Sequence, residues 1–153
     1  MRIGTGLAAM AMVGIMLCWP AYSQTPMVRS ERELFAAVNQ ARRAQGLAPL
    51  RWDESLAAAA RRHAEAMAEH GSAQHGFEGE PSLSARVKQA GAHFSWLSEN
   101  VIQGPSPEFI HTQFMKSAPH RANILDRDMD SIGVGVVEQG RQLFAVEDFS
   151  QAR

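Results

Sequence analysis

A single cysteine, Cys18, in 153 residues leaves no disulfide framework and no thiolate metal cluster to consider. Charge of either sign is not in excess. Fifteen Lys and Arg face 16 Asp and Glu, for a formal charge of −1, so the basic stripe of a nucleic-acid binder is missing. Glycine and proline number 12 and 7, too few for a collagen-like or disordered chain. The common catalytic signatures are also missing: no Gly-x-Ser-x-Gly, no His-Glu-x-x-His and no phosphate-cradling glycine loop. What is present, 45% apolar and 20% charged residues, suits one globular domain around one core.

The first 23 residues read as a secretory signal peptide. Arg2 gives a basic start, residues 6–19 are apolar and uncharged, and Ala21 and Ser23 supply small side chains before a cut at Gln24. The run is short of the roughly 20 residues that a membrane span needs. Cys18 stands where a lipoprotein cysteine would, but Leu17 is bulky where a small residue is wanted, which argues against lipidation. The expectation is a secreted protein, periplasmic or extracellular, with no cysteine and no transmembrane segment after cleavage. Residues 24–30 read as a short flexible lead-in, and residues 31–151 as the domain.

Helices come first. Ser30 with Glu33 makes a capping box for a helix through Leu34, Val38 and Ala41, ending at Gly46. Asp53 caps the strongest helix, which runs to Gly71 with Leu56, Ala60, His63 and Met67 on one stripe. Ser82 opens a third helix closed by Gly91, and Ser106-Pro107 a fourth. Residues 94–100 mix aromatic and polar side chains without a clean period. Residues 131–137 and 143–149 then alternate as strands do, across a short connection. Helices first and strands after predict an α+β domain.

Six histidines and their carboxylate neighbours hold whatever chemistry there is. His63, on the apolar stripe, reads as a core histidine bonded to a backbone group. His70 near a helix end reads as a cap, and His93 and His111 as solvated surface. His75 and His120 differ, because each sits in an irregular segment, where sites collect. Glu99 is embedded between Trp96-Leu97 and Val101-Ile102, and reads either as a turn acceptor or as a buried acid orienting an imidazole. Spacing does not choose between the two.

Five pieces stand in one order: Leu56-Ala57-Ala58-Ala59-Ala60 with His63 and Met67; His75; Ser98-Glu99-Asn100-Val101; Phe114 with Ser117, His120, Arg121, Asn123 and Leu125; and Ile132-Gly133-Val134-Gly135 with Glu147-Asp148-Phe149. Over residues 31–151 this resembles the bacterial branch of the CAP superfamily, the SCP-like domains related to cysteine-rich secretory proteins, antigen 5 and plant pathogenesis-related proteins. The resemblance implies a three-layer α-β-α sandwich with a central antiparallel sheet. It also implies a cleft of His75, Glu99, His120, Asn100 and Ser117, in which His75 and His120 hold a divalent metal, zinc, weakly. The family's fourth ligand position, an acid, falls on residues 114–117, where there is no carboxylate. Ser98 stands for the family's glycine, Phe114 for its tryptophan, and Ala73-Gln74 for Phe-Ser.

Three functions follow as alternatives. The first is a non-enzymatic secreted binding module with a metal-capable cleft, which also takes a lipid or other small apolar ligand. The second is a metal-assisted hydrolase using His75, Glu99 and His120, with Ser117 as a weak candidate nucleophile. The third is an envelope or host-directed protein-interaction module. Nucleic acid is not an expected partner.

Overall fold

The structure, a computed structural model, describes residues 27–151; the signal-peptide and Cys18 expectations lie outside them. Five helices and four strands follow the order α1 (Arg29–Ala44), β1 (Arg51–Trp52), α2 (Glu54–His70), α3 (Leu83–Gln89), β2 (Trp96–Gly104), α4 (Pro107–Lys116), α5 (Ala118–Ile124), β3 (Ser131–Gln139) and β4 (Gln142–Gln151).

Local chemistry sets most of these boundaries. Asp53 accepts from the Ser55 and Leu56 amides, and Gly71 ends α2 at φ 65°, a left-handed turn that suits a residue without Cβ. Ser82 and Ser106 cap α3 and α4 in the same way as Asp53. Helix α1 begins at Arg29, so Ser30 lies inside its first turn. The Val28 amide is met there by the Glu31 carboxylate rather than by Glu33.

The sheet order is β1-β3-β4-β2, which puts β2 at a free edge. The three long strands are antiparallel, and the two-residue β1 joins β3 in parallel at the other edge. Alternation along β4 then sorts side chains into two layers. Ala145 and Phe149 face a core with Leu34 and Val38 of α1, Ile110 and Phe114 of α4 and Ile124 of α5. Phe144 and Val146, with Val101 of β2, face Ala60, Ala64 and Met67 of α2. Each buried aliphatic or aromatic side chain contributes on the order of 1.5–3 kcal/mol. The expected α-β-α sandwich is what forms.

Helix α2 lies almost on the sheet. A Cβ on Gly133 would stand 2.0 Å from the Ala57 amide nitrogen, and one on Gly135 2.2 Å from that of Arg61. The alanine-rich face of α2 and these two glycines are one device for close approach. On the other face Arg42, fully buried, donates to the carbonyls of Ala48, Ile124, Asp126 and Met129 and so ties α1 to the end of α5.

Two segments differ from expectation. Residues 94–100, which show no clean period in the sequence, run into edge strand β2 at 96–104, where Glu99 and Asn100 are buried on opposite faces and break the alternation. His120 is not in an irregular segment but in α5.

Candidate functional site

The free edge of β2 gathers the predicted residues. Adjacent residues of a strand point to opposite faces, so Glu99 and Asn100 serve the two sides of the sheet separately. Glu99, on the α2 face, accepts from His75 Nδ1 at 2.8 Å, and from Arg86 Nη2 on its other oxygen. Asn100, on the opposite face, donates through Nδ2 to the His120 carbonyl at 3.2 Å and to Glu147 Oε2 at 3.1 Å. Its Oδ1 accepts from Asn123 Nδ2 at 2.8 Å. One dipeptide thus holds the loop that carries His75 and the helix that carries His120.

That loop, between α2 and α3, is fastened from below. His63 is fully buried on the α2 stripe, with Nε2 donating to the Gln74 carbonyl at 2.8 Å and Nδ1 2.6 Å from Glu80 Oε1. The backbone-bonded core histidine expected from the sequence is found, with a carboxylate partner in addition. Arg86, also buried, donates to the His75 and Pro81 carbonyls as well as to Glu99. His70 donates to the Ala66 carbonyl and stacks on Phe77 with ring centroids 4.0 Å apart.

His75 remains 63% exposed in its side chain. Its Nδ1–H donates to Glu99, so Nε2 is the nitrogen that offers a lone pair when the ring is neutral. His120 is half-buried against the Phe114 ring, centroids 5.1 Å apart. Burial first, and then the charge of nearby His75, lowers its proton affinity below that of a free imidazole. At neutral pH it is therefore the unprotonated form, the one that coordinates a metal. Ser117 sits at the N-cap of α5, and its hydroxyl makes no cap bond.

The donor set has a definite limit. Among the described residues no group of three or more His, Cys, Asp and Glu is arranged to hold a metal ion. Glu99 is spoken for by His75 and Arg86, and α4 places its one acid, Glu108, in its first turn. A structural zinc site takes four protein ligands, and His75 and His120 by themselves fall short of that.

His111 is a correction to the sequence reading. It is half-buried rather than solvated, with Nδ1 without a partner and its proton affinity lowered by burial. It lines a groove of about 440 Å³ between α1 and α4, with Ala37, Gln40, Pro107 and Thr112. Arg86 and Glu80 carried no signal in the sequence, and Glu147 and Asp148 entered only through the family resemblance, with no role in the cleft. The short run of acids at 147–148 beside Phe149 was visible, but its register against Glu99-Asn100 was not.

Residues 35–149 match the model of the cysteine-rich secretory protein family, CAP. Uncharacterized protein YkwD of Bacillus subtilis is 33% identical over 111 residues, covering 72% of this chain and 43% of that protein. Uncharacterized membrane protein YlbC of the same organism is 31% identical over 111 residues, covering 70% and 31%. The chain thus spans less than half the length of these curated relatives. Among solved structures, an extracellular SCP-domain protein of Bacillus anthracis superposes with a TM-score of 0.72 at 24% identity, covering 80% of this chain and 40% of that one. An outer surface protein of Borrelia burgdorferi gives 0.76 at 18% identity, covering 84% and 97%.

Proposed function

This chain belongs to the cysteine-rich secretory protein (CAP) family, and from that premise we propose that it is a secreted, non-enzymatic binding module. Its β2-edge cleft takes a divalent metal ion weakly through His75 and His120. The observation that carries the reading is the Glu99–His75 bond: a carboxylate holding Nδ1–H fixes the tautomer that offers Nε2 to a metal, a recurring arrangement around metal-bound histidines. Export fits the family and the extracellular protein of Bacillus anthracis; no helix among the described residues is long and apolar enough to cross a membrane.

The α1–α4 groove favours a small apolar ligand, lipid-like in class, as a second occupant. Ala37 and Pro107 give it apolar wall, continued by Ala41 and Ala44 of the adjoining hollow, while Glu33 and Glu108 put negative charge at its rim. A fluorescent fatty alcohol, which brings no charge against Glu33 and Glu108, is expected to bind there and to be excluded by Ala37→Trp. The hydrolase alternative has less support, because Ser117 is not joined to either imidazole by a hydrogen bond among the described residues, and a nucleophile needs its base in reach.

Zinc titration calorimetry at pH 7.5 and 5.5, on wild type and His120→Ala, tests the metal site. Coordination requires neutral imidazole, so affinity is expected to fall on acidification and to be lost in the variant. Binding that survives both would place the ion elsewhere.

A further inference from the structure

Asp148 is fully buried on the α2 face of β4, and neither of its carboxylate oxygens has a hydrogen-bond donor. Its neighbour in register on β2 is Glu99; on β3 it is Gly133, which brings no side chain. The charged groups that face it are Glu99 from β2 and Arg86 from α3. His63 of α2 and Glu80 lie one contact further, 4.0 Å from Glu99 and 3.7 Å from Arg86 respectively. Arg86 donates to Glu99 and to the His75 and Pro81 carbonyls, not to Asp148, and its Nε–H has no acceptor among the described residues. Glu80 has His63 Nδ1 at 2.6 Å as its own partner, which leaves Glu99 and Asp148 to share the Arg86 guanidinium. With both ionised, that pair would carry one negative charge in excess at a buried site, which is strongly unfavourable.

A single proton removes that excess. Two ionised carboxylates have only acceptors to offer each other, but a protonated one has a donor. We propose that Asp148 is held as a neutral acid whose O–H donates to the Glu99 carboxylate, making Asp148 a positioning residue that fixes Glu99 toward His75. Burial first, and the Glu99 charge second, push the Asp148 carboxyl well above the usual carboxylate range, the direction this arrangement requires. Glu99 then stands between three donors: His75 Nδ1–H, the Arg86 guanidinium and the Asp148 acid. The importance of this role rests on the reading of the cleft given above; the shared proton does not.

Two variants separate the role from general stability. Asp148→Asn keeps a donor in place and cannot ionise, whereas Asp148→Ala removes the donor altogether. Infrared spectra at pH 7 in a Glu147→Gln background are expected to show the carbonyl stretch of a protonated carboxylic acid, sensitive to D₂O and absent once Asp148→Asn is added. Long-range proton–nitrogen spectra at pH 8 are expected to show the His75 ring as its Nδ1–H tautomer in wild type and Asp148→Asn, and as a tautomer mixture in Asp148→Ala. A missing acid band overturns the neutral acid. An unmixed tautomer in Asp148→Ala, or in Asp148→Val should the alanine variant not fold, overturns the positioning role. Neither readout uses metal, so a protein that binds no zinc refutes the cleft reading alone. Where zinc binds, Asp148→Ala is expected to lose about 10- to 100-fold in affinity and Asp148→Asn to stay near wild type.

Discussion

Replacing Glu147 by Gln should stabilise this protein, and more so as the pH rises. Glu147 is fully buried on the opposite face of β4 from Asp148, with Oε2 accepting from Asn100 and Oε1 without a donor. Burial pushes its carboxyl up to about 8 from an ordinary 4.5, the Asn100 bond offsetting only part of the rise. Below about pH 4.5 the folded and unfolded chains both hold the proton, and the group adds no pH dependence. Above it the unfolded chain releases a proton that the folded chain keeps, so stability falls with pH until about 8, where the folded acid also ionises. At about 1.4 kcal/mol per unit, the loss is about 3 kcal/mol at pH 7 and about 5 kcal/mol at the plateau. The glutamine side chain mimics the neutral acid: its carbonyl oxygen accepts from Asn100 and it cannot ionise. Urea unfolding of both proteins at several pH values between 4.5 and 8.5 reads the difference, with the slope m expected to be common to both. The two curves should meet near pH 4.5 and diverge upward. A stability difference that stays constant between pH 5 and 8 would refute the burial argument.

The other predictions concern packing, the buried ion pair and export. Gly133→Ala puts a Cβ 2.0 Å from the Ala57 amide nitrogen, and should cost more than about 3 kcal/mol in a urea melt; wild-type stability would show that α2 does not rest on β3. Glu99→Gln removes the carboxylate that meets both His75 and Arg86 and should weaken zinc binding. Its cost in stability should be less than the roughly 3–5 kcal/mol of a buried charge left unpaired, because Asp148 faces Arg86 and can ionise in its place; a full loss of about 3–5 kcal/mol in a urea melt would mean that Asp148 does not compensate. Intact mass of the exported protein should begin at Gln24, and thermal melts with and without dithiothreitol should coincide. A lipidated species starting at Cys18 would overturn the leader assignment.

The sequence carried the helices because their signals are local. Asp53, Ser82 and Ser106 each present an oxygen to amides two or three residues on, and Gly71 supplies the left-handed residue that ends α2. The β3–β4 hairpin was legible for a similar reason, since two short apolar runs, 131–137 and 143–149, flank a short turn, although the structure buries both strands on both faces rather than alternately. Strand β2 was not. An edge strand with one buried face should alternate, but Glu99 and Asn100 are both buried, on opposite faces, by groups from distant parts of the chain. His111 was misjudged because its burial comes from α1, which approaches α4 across the groove.

The candidate residues of the cleft were visible as a constellation only through the family resemblance, and their support was not visible at all. The reason is register. In an antiparallel pair, two adjacent residues on one strand face two adjacent residues on the next, one on each side of the sheet. Here Glu99 opposes Asp148 toward α2, while Asn100 opposes Glu147 toward α4 and α5. Each residue that holds a cleft wall therefore has an acid behind it, separated by 47 or 49 positions in the chain. Slipping β4 by one residue would exchange the two faces, turning Asp148 toward Phe114 and Ile124 and taking Phe149 out of that core to the α2 side. The site thus depends on a strand pairing, which the Gly140 turn at φ 63° sets at one end of the β3–β4 hairpin. The residues that face solvent at the cleft are few, and the residues that decide their geometry lie in the middle of the sheet.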